Sequence, residues 1–261
     1  MKRIEIPVAN NISRRNFLKT STGAAVGAAA AGLVTGSAGS AKAAGPTLVF
    51  GLEADIPPVD KGTLRTIVVG GGWGGLTMAK HLKLHAPDMD VVLIEKRAVF
   101  FSCPVSNLWL ADLVTYDFLT HSFTDAARNN KYTFFNATVV DVDREKRRLY
   151  TEQGYVDYDY LVLSPGIDYD YDDIGVHVPE EQYLLAQTYP AAFKPGSEHI
   201  TLKRKVDEFE GGLFALTVPS GNYRCLPAPY ERACMIASVF KRKKIPAKVL
   251  LLDDNHDIKI K

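Results

Sequence analysis

Gly70-Gly71-Gly72-Trp73-Gly74-Gly75, with Glu95 twenty positions further on, carries a chemistry that can be read from spacing alone. Gly70, Gly72 and Gly75 match G-x-G-x-x-G. The first such glycine permits a tight turn, the second lets a pyrophosphate approach the backbone, and the third lets helix and strand pack closely. A diphosphate then lies on a helix N-terminus, where unpaired N–H groups and the dipole favour an anion. A carboxylate at Glu95 accepts hydrogen bonds from ribose hydroxyls. The chemistry expected is the binding of an adenine dinucleotide.

The surrounding elements are those that such a site needs. Thr66-Ile67-Val68-Val69 is an apolar, β-branched run that reads as a buried strand. Leu76, Ala79 and Leu82 follow at helical spacing, and residues 90–94 form a second apolar run that Glu95 ends. After the Phe100-Phe101-Ser102-Cys103-Pro104 loop, residues 108–129 read as helix and 132–142 as strand. Residues 148–158 read as strand and turn. These last segments predict a small antiparallel crossover sheet. Residues 158–163 then form a buried strand that delivers Ser164-Pro165-Gly166 to the sheet crevice, where open α/β sheets bind ligands.

A second β-α-β unit starts near 170. Its elements are a helix over 201–209, a strand over 213–218, a helix over 229–243 and a strand over 248–252 ending at Asp253. Its first turn, residues 219–229, contains one glycine and three prolines. Proline has no N–H, so this loop is poorly made for gripping pyrophosphate. Asp253 is accordingly expected to be a strand terminus and not a ribose ligand. The fold class expected is α/β: a Rossmann-like dinucleotide-binding unit over 64–169 with an antiparallel crossover sheet. An incomplete nucleotide-binding-like unit follows over 170–261.

Residues 1–43 are expected to be a leader. Ser13-Arg14-Arg15-Asn16-Phe17-Leu18-Lys19 is a twin-arginine signal, an Ala/Gly segment follows, and Ala41-Lys42-Ala43 offers cleavage before Ala44. The segment is too short and too glycine-broken to match the ~20 apolar residues of a span. Periplasmic location is therefore expected, with no stable membrane span after cleavage, and residues 44–63 read as a linker. The leader holds six of the 31 Lys/Arg and one of the 30 acids. What remains, 25 basic and 29 acidic residues, is net acidic and argues against nucleic acid as a partner. The three cysteines, Cys103, Cys225 and Cys234, have no zinc-ligand spacing, and no C-x-x-C-H haem motif occurs. No metal site is expected. Cys225 lies beside Arg224 just before a helix, a setting that activates thiols. Cys234 lies within that helix and is expected to pack in the core.

Two motifs carry a resemblance: Phe101-Ser102-Cys103-Pro104-Val105-Ser106-Asn107 and the run Arg224-Cys225-Leu226-Pro227-Ala228-Pro229-Tyr230-Glu231-Arg232-Ala233. The chain resembles the flavoprotein subunit of flavocytochrome c sulfide dehydrogenase, a relative of the sulfide:quinone oxidoreductases and disulfide-reductase-like flavoproteins. The resemblance covers 64–261 and implies that this is the N-terminal part of a longer family member, inactive alone. It implies FAD, with Gly70, Gly72, Gly74 and Gly75 at the diphosphate and Glu95 at the adenosine ribose. It also places the Val139 backbone at the adenine, and Pro165 and Gly166 along the far side of the cofactor. It implies a thioether from Cys103 to the flavin. It makes Cys225 a redox-active cysteine whose partner lies much later in family members, with Glu231 near the sulfur site. The activity implied is oxidation of sulfide to sulfur or polysulfide, with electrons leaving to a c-type cytochrome subunit. Alternatives are a sulfide:quinone oxidoreductase or a truncated, non-catalytic flavoprotein. An NADH-dependent disulfide reductase is disfavoured by the proline-rich second turn.

Overall fold

The computed structural model describes residues 52–221 and 223–258. The expected leader and its cleavage site lie outside them. The chain divides into two compact units: the described residues up to Ala98 together with Phe123–Gly166, and Val99–Ser122 together with the described residues from Ile167 onward.

In the first unit, β1 (Arg65–Val69), β2 (Asp90–Ile94), β5 (Thr133–Phe135) and β9 (Tyr160–Leu163) form a parallel sheet ordered β5-β2-β1-β9. Ile67 lies opposite Val92 on one side and Leu161 on the other. The central strands are continuously apolar because both sheet faces are covered, the expected pattern for a parallel sheet. One face meets α1 (Trp73–His85), which buries Gly75 and Ala79, and α3 (Phe123–Asn130), which buries Phe123 and Ala127. The other face shares a core with the antiparallel sheet of β6 (Val139–Asp143), β7 (Arg148–Thr151) and β8 (Gly154–Asp157). Ile67, Val92 and Ile94 pack there with Val142, Leu149 and Val156. Ala54 is buried in the same core, and the Arg65 guanidinium donates to the Pro57 carbonyl at 2.5 Å. Part of the expected linker is thus packed.

In the second unit, β3 (Val99–Phe101) pairs antiparallel with β4 (Thr120–Ser122), and β10 (Gly212–Val218) pairs parallel with β11 (Ala247–Asp253). The unit also holds α2 (Ser106–Leu110), α4 (Pro179–Thr188), α5 (Ser197–Asp207) and α6 (Ala228–Arg242). Its core joins Leu110 of α2, Leu202 and Val206 of α5, and Ile236, Val239 and Phe240 of α6. No helix among the described residues is long and apolar enough to cross a membrane.

Three expectations change. Residues 108–129 are not one helix: α2 ends at Leu110, Asp112 turns left-handed (φ 59°), and Thr120-His121-Ser122 pairs with β3 before α3 begins. Residues 132–142 are two strands in two sheets, parted at Asn136, whose side chain donates to the Glu95 carbonyl at 2.8 Å. The third concerns Val99–Ser122: β3, α2 and β4 group with the second unit and take Cys103 with them, while the division after Gly166 lies close to the expected 169.

Candidate functional site

Gly70 and Gly75 of the β1–α1 turn must be glycine, each for a different reason. Gly70 has φ +99° and donates to the Ile94 carbonyl at 2.8 Å; a Cβ there would lie 2.1 Å from the Ser164 oxygen. A Cβ on Gly75 would lie 1.8 Å from the Gly70 oxygen, so helix and strand meet backbone to backbone. Gly74 has only ordinary contact, 3.6 Å to Ser164 Oγ. Gly72 differs from all of them. It has φ −76°, open to any residue, and a Cβ on it would meet nothing within 4 Å. Protein packing does not require glycine there. The space it leaves open lies at the N-terminus of α1, which has no side-chain cap and no acid in its first turn. A helix N-terminus with no side-chain cap, beside open space at Gly72, suits a diphosphate.

Glu95 follows β2 and is buried, 6% exposed. Gly71 N–H donates to its Oε2 at 2.7 Å. Arg97 donates to Oε1 from its backbone and from Nε, both at 2.9 Å, and to Oε2 from Nη2 at 3.1 Å. Burial works against the charge, but the Arg97 fork and these two backbone N–H groups outweigh it. They hold the carboxyl below its ordinary value. At the end of β9, Ser164 N–H donates to the Val69 carbonyl at 2.8 Å and brings Pro165 beside Gly70. Pro165 and Gly166 are exposed. The phosphate turn, Glu95 and Pro165 therefore share the C-terminal edge of the parallel sheet. Val139 begins β6 and packs half-buried against the core between the sheets.

The second unit holds Cys103, Cys225 and Cys234. Cys103 follows β3 and is half-buried; its thiol donates to the Phe193 carbonyl at 3.4 Å. Arg224 donates to the same carbonyl from Nη1 at 3.0 Å. Cys225, next in sequence, is exposed and left-handed (φ 59°), and its carbonyl accepts the Ala228 N–H that opens α6. Glu231 is exposed in the first turn of α6. Cys234, expected in the core, is exposed instead. The buried face of α6 carries Ala228, Pro229, Arg232, Ile236, Val239 and Phe240, and Cys234 lies off that face. Asp253 accepts from the Tyr230 hydroxyl and from Asn255, as fits a strand terminus.

The Phe193 carbonyl belongs to a strap, residues 191–194, that no spacing or residue pattern in the sequence marks. Buried Arg232 donates to the carbonyls of Ala191 at 2.5 Å and Ala192 at 3.0 Å, and to Asn107 Oδ1 at 3.1 Å. The Tyr169 hydroxyl accepts the N–H groups of Phe193 and Lys194 at 2.9 and 3.1 Å, and donates to Glu198 Oε2 at 2.8 Å. Glu198 also accepts the Ala192 N–H at 2.9 Å. The strap is thus gripped on both edges, and the Phe193 carbonyl it presents touches Cys103 and the neighbour of Cys225. Behind it His199 is fully buried against Phe101, 4.8 Å between ring centroids, with neither ring nitrogen hydrogen-bonded. Burial, and then the charge of Arg232, push its pKa down to about 4 despite the nearby Lys194 backbone.

Comparison with known proteins decides the family. Residues 200–261 match the family described as sulfide dehydrogenase [flavocytochrome c] flavoprotein chain, central. Residues 64–186 match pyridine nucleotide-disulphide oxidoreductases. The sulfide dehydrogenase [flavocytochrome c] flavoprotein chain of Chlorobaculum thiosulfatiphilum is 48% identical over 46 residues, 18% of this chain and 96% of that sequence. The chain belongs to the flavocytochrome c sulfide dehydrogenase flavoprotein family. The type II NADH:quinone oxidoreductase of Staphylococcus haemolyticus is 28% identical over 106 residues, 40% of this chain and 26% of that protein. The sulfide:quinone oxidoreductase of Aquifex aeolicus shares the fold, with TM-score 0.60 and 20% identity over 73% of this chain and 43% of that one. The NDH2 of Plasmodium falciparum gives TM-score 0.58 at 16% identity, covering 75% of this chain and 43% of that one. The chain thus spans about a quarter of the first relative and under half of the two solved structures. Membership in this family of flavoproteins implies a flavin cofactor. The first unit fits a flavin dinucleotide in three respects: the space left at Gly72 and the uncapped helix suit its diphosphate, and the buried Glu95 carboxylate suits its adenosine ribose.

Proposed function

We propose that this flavoprotein is FAD-dependent, acts in the periplasm after twin-arginine export, and oxidises sulfide to sulfur or polysulfide. FAD would be held at Gly70, Gly72, Gly74, Gly75 and Glu95, with Val139, Pro165 and Gly166 along it, and linked through Cys103. A bound flavin supplies a two-electron acceptor that can be reoxidised one electron at a time.

The observation that carries the sulfide reading is the convergence of the two family cysteine motifs on the Phe193 carbonyl. Cys225, exposed at the turn into α6, is accessible to a small anion. Hydrosulfide attacks a disulfide of which Cys225 is one half, the second half being the later family cysteine. A new S–S bond forms as a persulfide, the displaced cysteine leaves as thiolate, and one proton is released. When the thiolate and the persulfide close again to the disulfide, zero-valent sulfur leaves and two electrons are released; a flavin held beside Cys225 would supply their acceptor, and a c-type cytochrome subunit would take them on singly. Glu231, three residues into the helix, is suited to take the proton from the incoming hydrosulfide. A quinone as acceptor is the alternative.

The test is anaerobic sulfide addition to the flavin-loaded protein extended through the family's remaining length, so that it carries the later cysteine, first alone and then with cytochrome c or a soluble quinone. Flavin bleaching that is lost in Cys225→Ser, with reduction of cytochrome c and not of quinone, is expected. Bleaching unchanged by Cys225→Ser would refute the assignment. N-terminal sequencing of exported protein should begin at Ala44; an intact leader would refute that part.

A further inference from the structure

The Glu95 carboxylate is saturated by the protein itself. Each oxygen accepts two donors: Oε1 the backbone N–H and Nε of Arg97, Oε2 the N–H of Gly71 and Nη2 of Arg97. Four acceptor positions are about what a carboxylate has. Yet the acid closing this motif is the group that must receive the ribose hydroxyls. The two backbone donors cannot leave without unwinding the β1–α1 turn at Gly71 and the chain that follows β2 at Arg97. The two side-chain donors can, because Arg97 is 29% exposed and the fork is held by Glu95.

We propose that Arg97 is a stand-in for the ribose. Its guanidinium occupies the two acceptor positions that the 2′- and 3′-hydroxyls take, and it swings clear when the adenosine diphosphate moiety binds at Gly72. Two donors are exchanged for two donors. The buried carboxylate therefore keeps its full set of hydrogen-bond donors whether the site is filled or empty. An uncompensated buried carboxylate is costly, and the geometry set by Gly71 and the Arg97 backbone stays fixed throughout. The exchange also means that the nucleotide binds more weakly than the cradle alone allows, because the fork must be broken first. The inference rests on reading Gly70–Glu95 as an adenine-nucleotide site.

The test uses the full chain carrying Cys103→Ser, freed of flavin, with ADP as probe and FMN, which lacks adenosine, as control. Binding is measured by calorimetry at about 0.15 M salt, where long-range charge effects are screened beyond ~8 Å. Arg97→Met should bind ADP about five- to tenfold more tightly, the net worth of one half-exposed charge-assisted pair. Arg97→Lys, which keeps the charge without the fork, should fall between. FMN binding should not change. Arg97→Met should also melt lower than its parent without ligand, with the gap closing when ADP is saturating. ADP affinity that is equal or weaker in Arg97→Met overturns the inference while leaving the nucleotide site intact. ADP binding to none of the chains overturns the site and the inference together.

Discussion

Gly72 and Gly75 share one turn and should fail in opposite ways when a side chain is added. A Cβ on Gly75 lies 1.8 Å from the Gly70 oxygen and 3.0 Å from its carbon. Such a contact is far inside any van der Waals separation, so α1 must lift from β1. The Gly70 N–H is tied to Ile94 and cannot retreat freely. Overpacking of this kind costs about 1–3 kcal/mol, and a backbone collision belongs at the upper end. At roughly 2–4 °C per kcal/mol for a chain of this size, Gly75→Ala should melt roughly 10 °C lower, with or without flavin. Gly72 has extended backbone and nothing within 4 Å of its would-be Cβ. Gly72→Val should therefore fold normally, within about 0.5 kcal/mol of the parent. Its two methyl groups fill the space intended for the diphosphate, so flavin should be lost altogether. The assay pairs thermal melting of flavin-free protein with the flavin-to-protein absorbance ratio after purification. A Gly72→Val protein with stoichiometric flavin would show that the diphosphate lies elsewhere. One that melts as low as Gly75→Ala would show that the space is structural.

Denatured wild-type protein should retain flavin fluorescence on a gel, and Cys103→Ser should release the flavin on acid precipitation; release from wild type would sink the covalent link. Arg232→Met leaves Asn107 and the carbonyls of Ala191 and Ala192 without their donor. It should destabilise the second unit by about 3 kcal/mol, with partial rescue by Arg232→Lys, as expected for hydrogen bonds from a charged group; unaltered urea unfolding would refute the clamp. His199 should make stability pH-dependent. Its pKa is about 4 in the fold, depressed mainly by burial, against 6.5 as the ordinary value. The unfolded chain binds the extra proton between these values, so stability is full above 6.5 and is lost as pH falls towards 4, by about 3 kcal/mol. His199→Phe should remove that slope, and an unchanged slope would mean that the proton binds elsewhere.

The glycine turn between β1 and α1 was legible in the sequence because its constraints are local. A positive φ, a backbone collision and an acid at the end of the next strand all fall within 26 positions, and each leaves a residue type behind. The parallel strands were legible because burial on both faces makes them continuously apolar. The breaks in 108–129 and 132–142 were not. Thr120-His121-Ser122 becomes a strand only because β3 is there to pair with it, and residues 132–142 change sheets at Asn136, which is fixed by a carbonyl 41 positions away.

The strap is beyond the reach of local spacing, although one helix carried a signal for it. Arg232 reaches Asn107, 125 positions away, and Ala192, 40 positions away, and no spacing rule links such partners. Yet Pro229, Arg232, Ile236 and Val239 recur at steps of three and four, so they line one face of α6. An arginine in that apolar row must be buried, and a buried guanidinium must find acceptors. Cys234 is two positions from both Arg232 and Ile236, which on a helix turns it away from that row. Followed as a row, these residues place Cys234 outside and Arg232 inside on sequence alone, and they demand acceptors for Arg232. Two of these acceptors are carbonyls of a strap whose Phe193 carbonyl touches Cys103 and Arg224. The two cysteine motifs are thereby tied through a segment that has no motif of its own. Substituting Phe193 should leave those bonds intact because they use its backbone, whereas loss of Arg232 should disturb Cys103 and Cys225 together. Alkylation rates of the two thiols, measured by mass spectrometry in Phe193→Leu and in Arg232→Lys, separate these outcomes. Independent responses of the two thiols in Arg232→Lys would mean that the strap does not couple them.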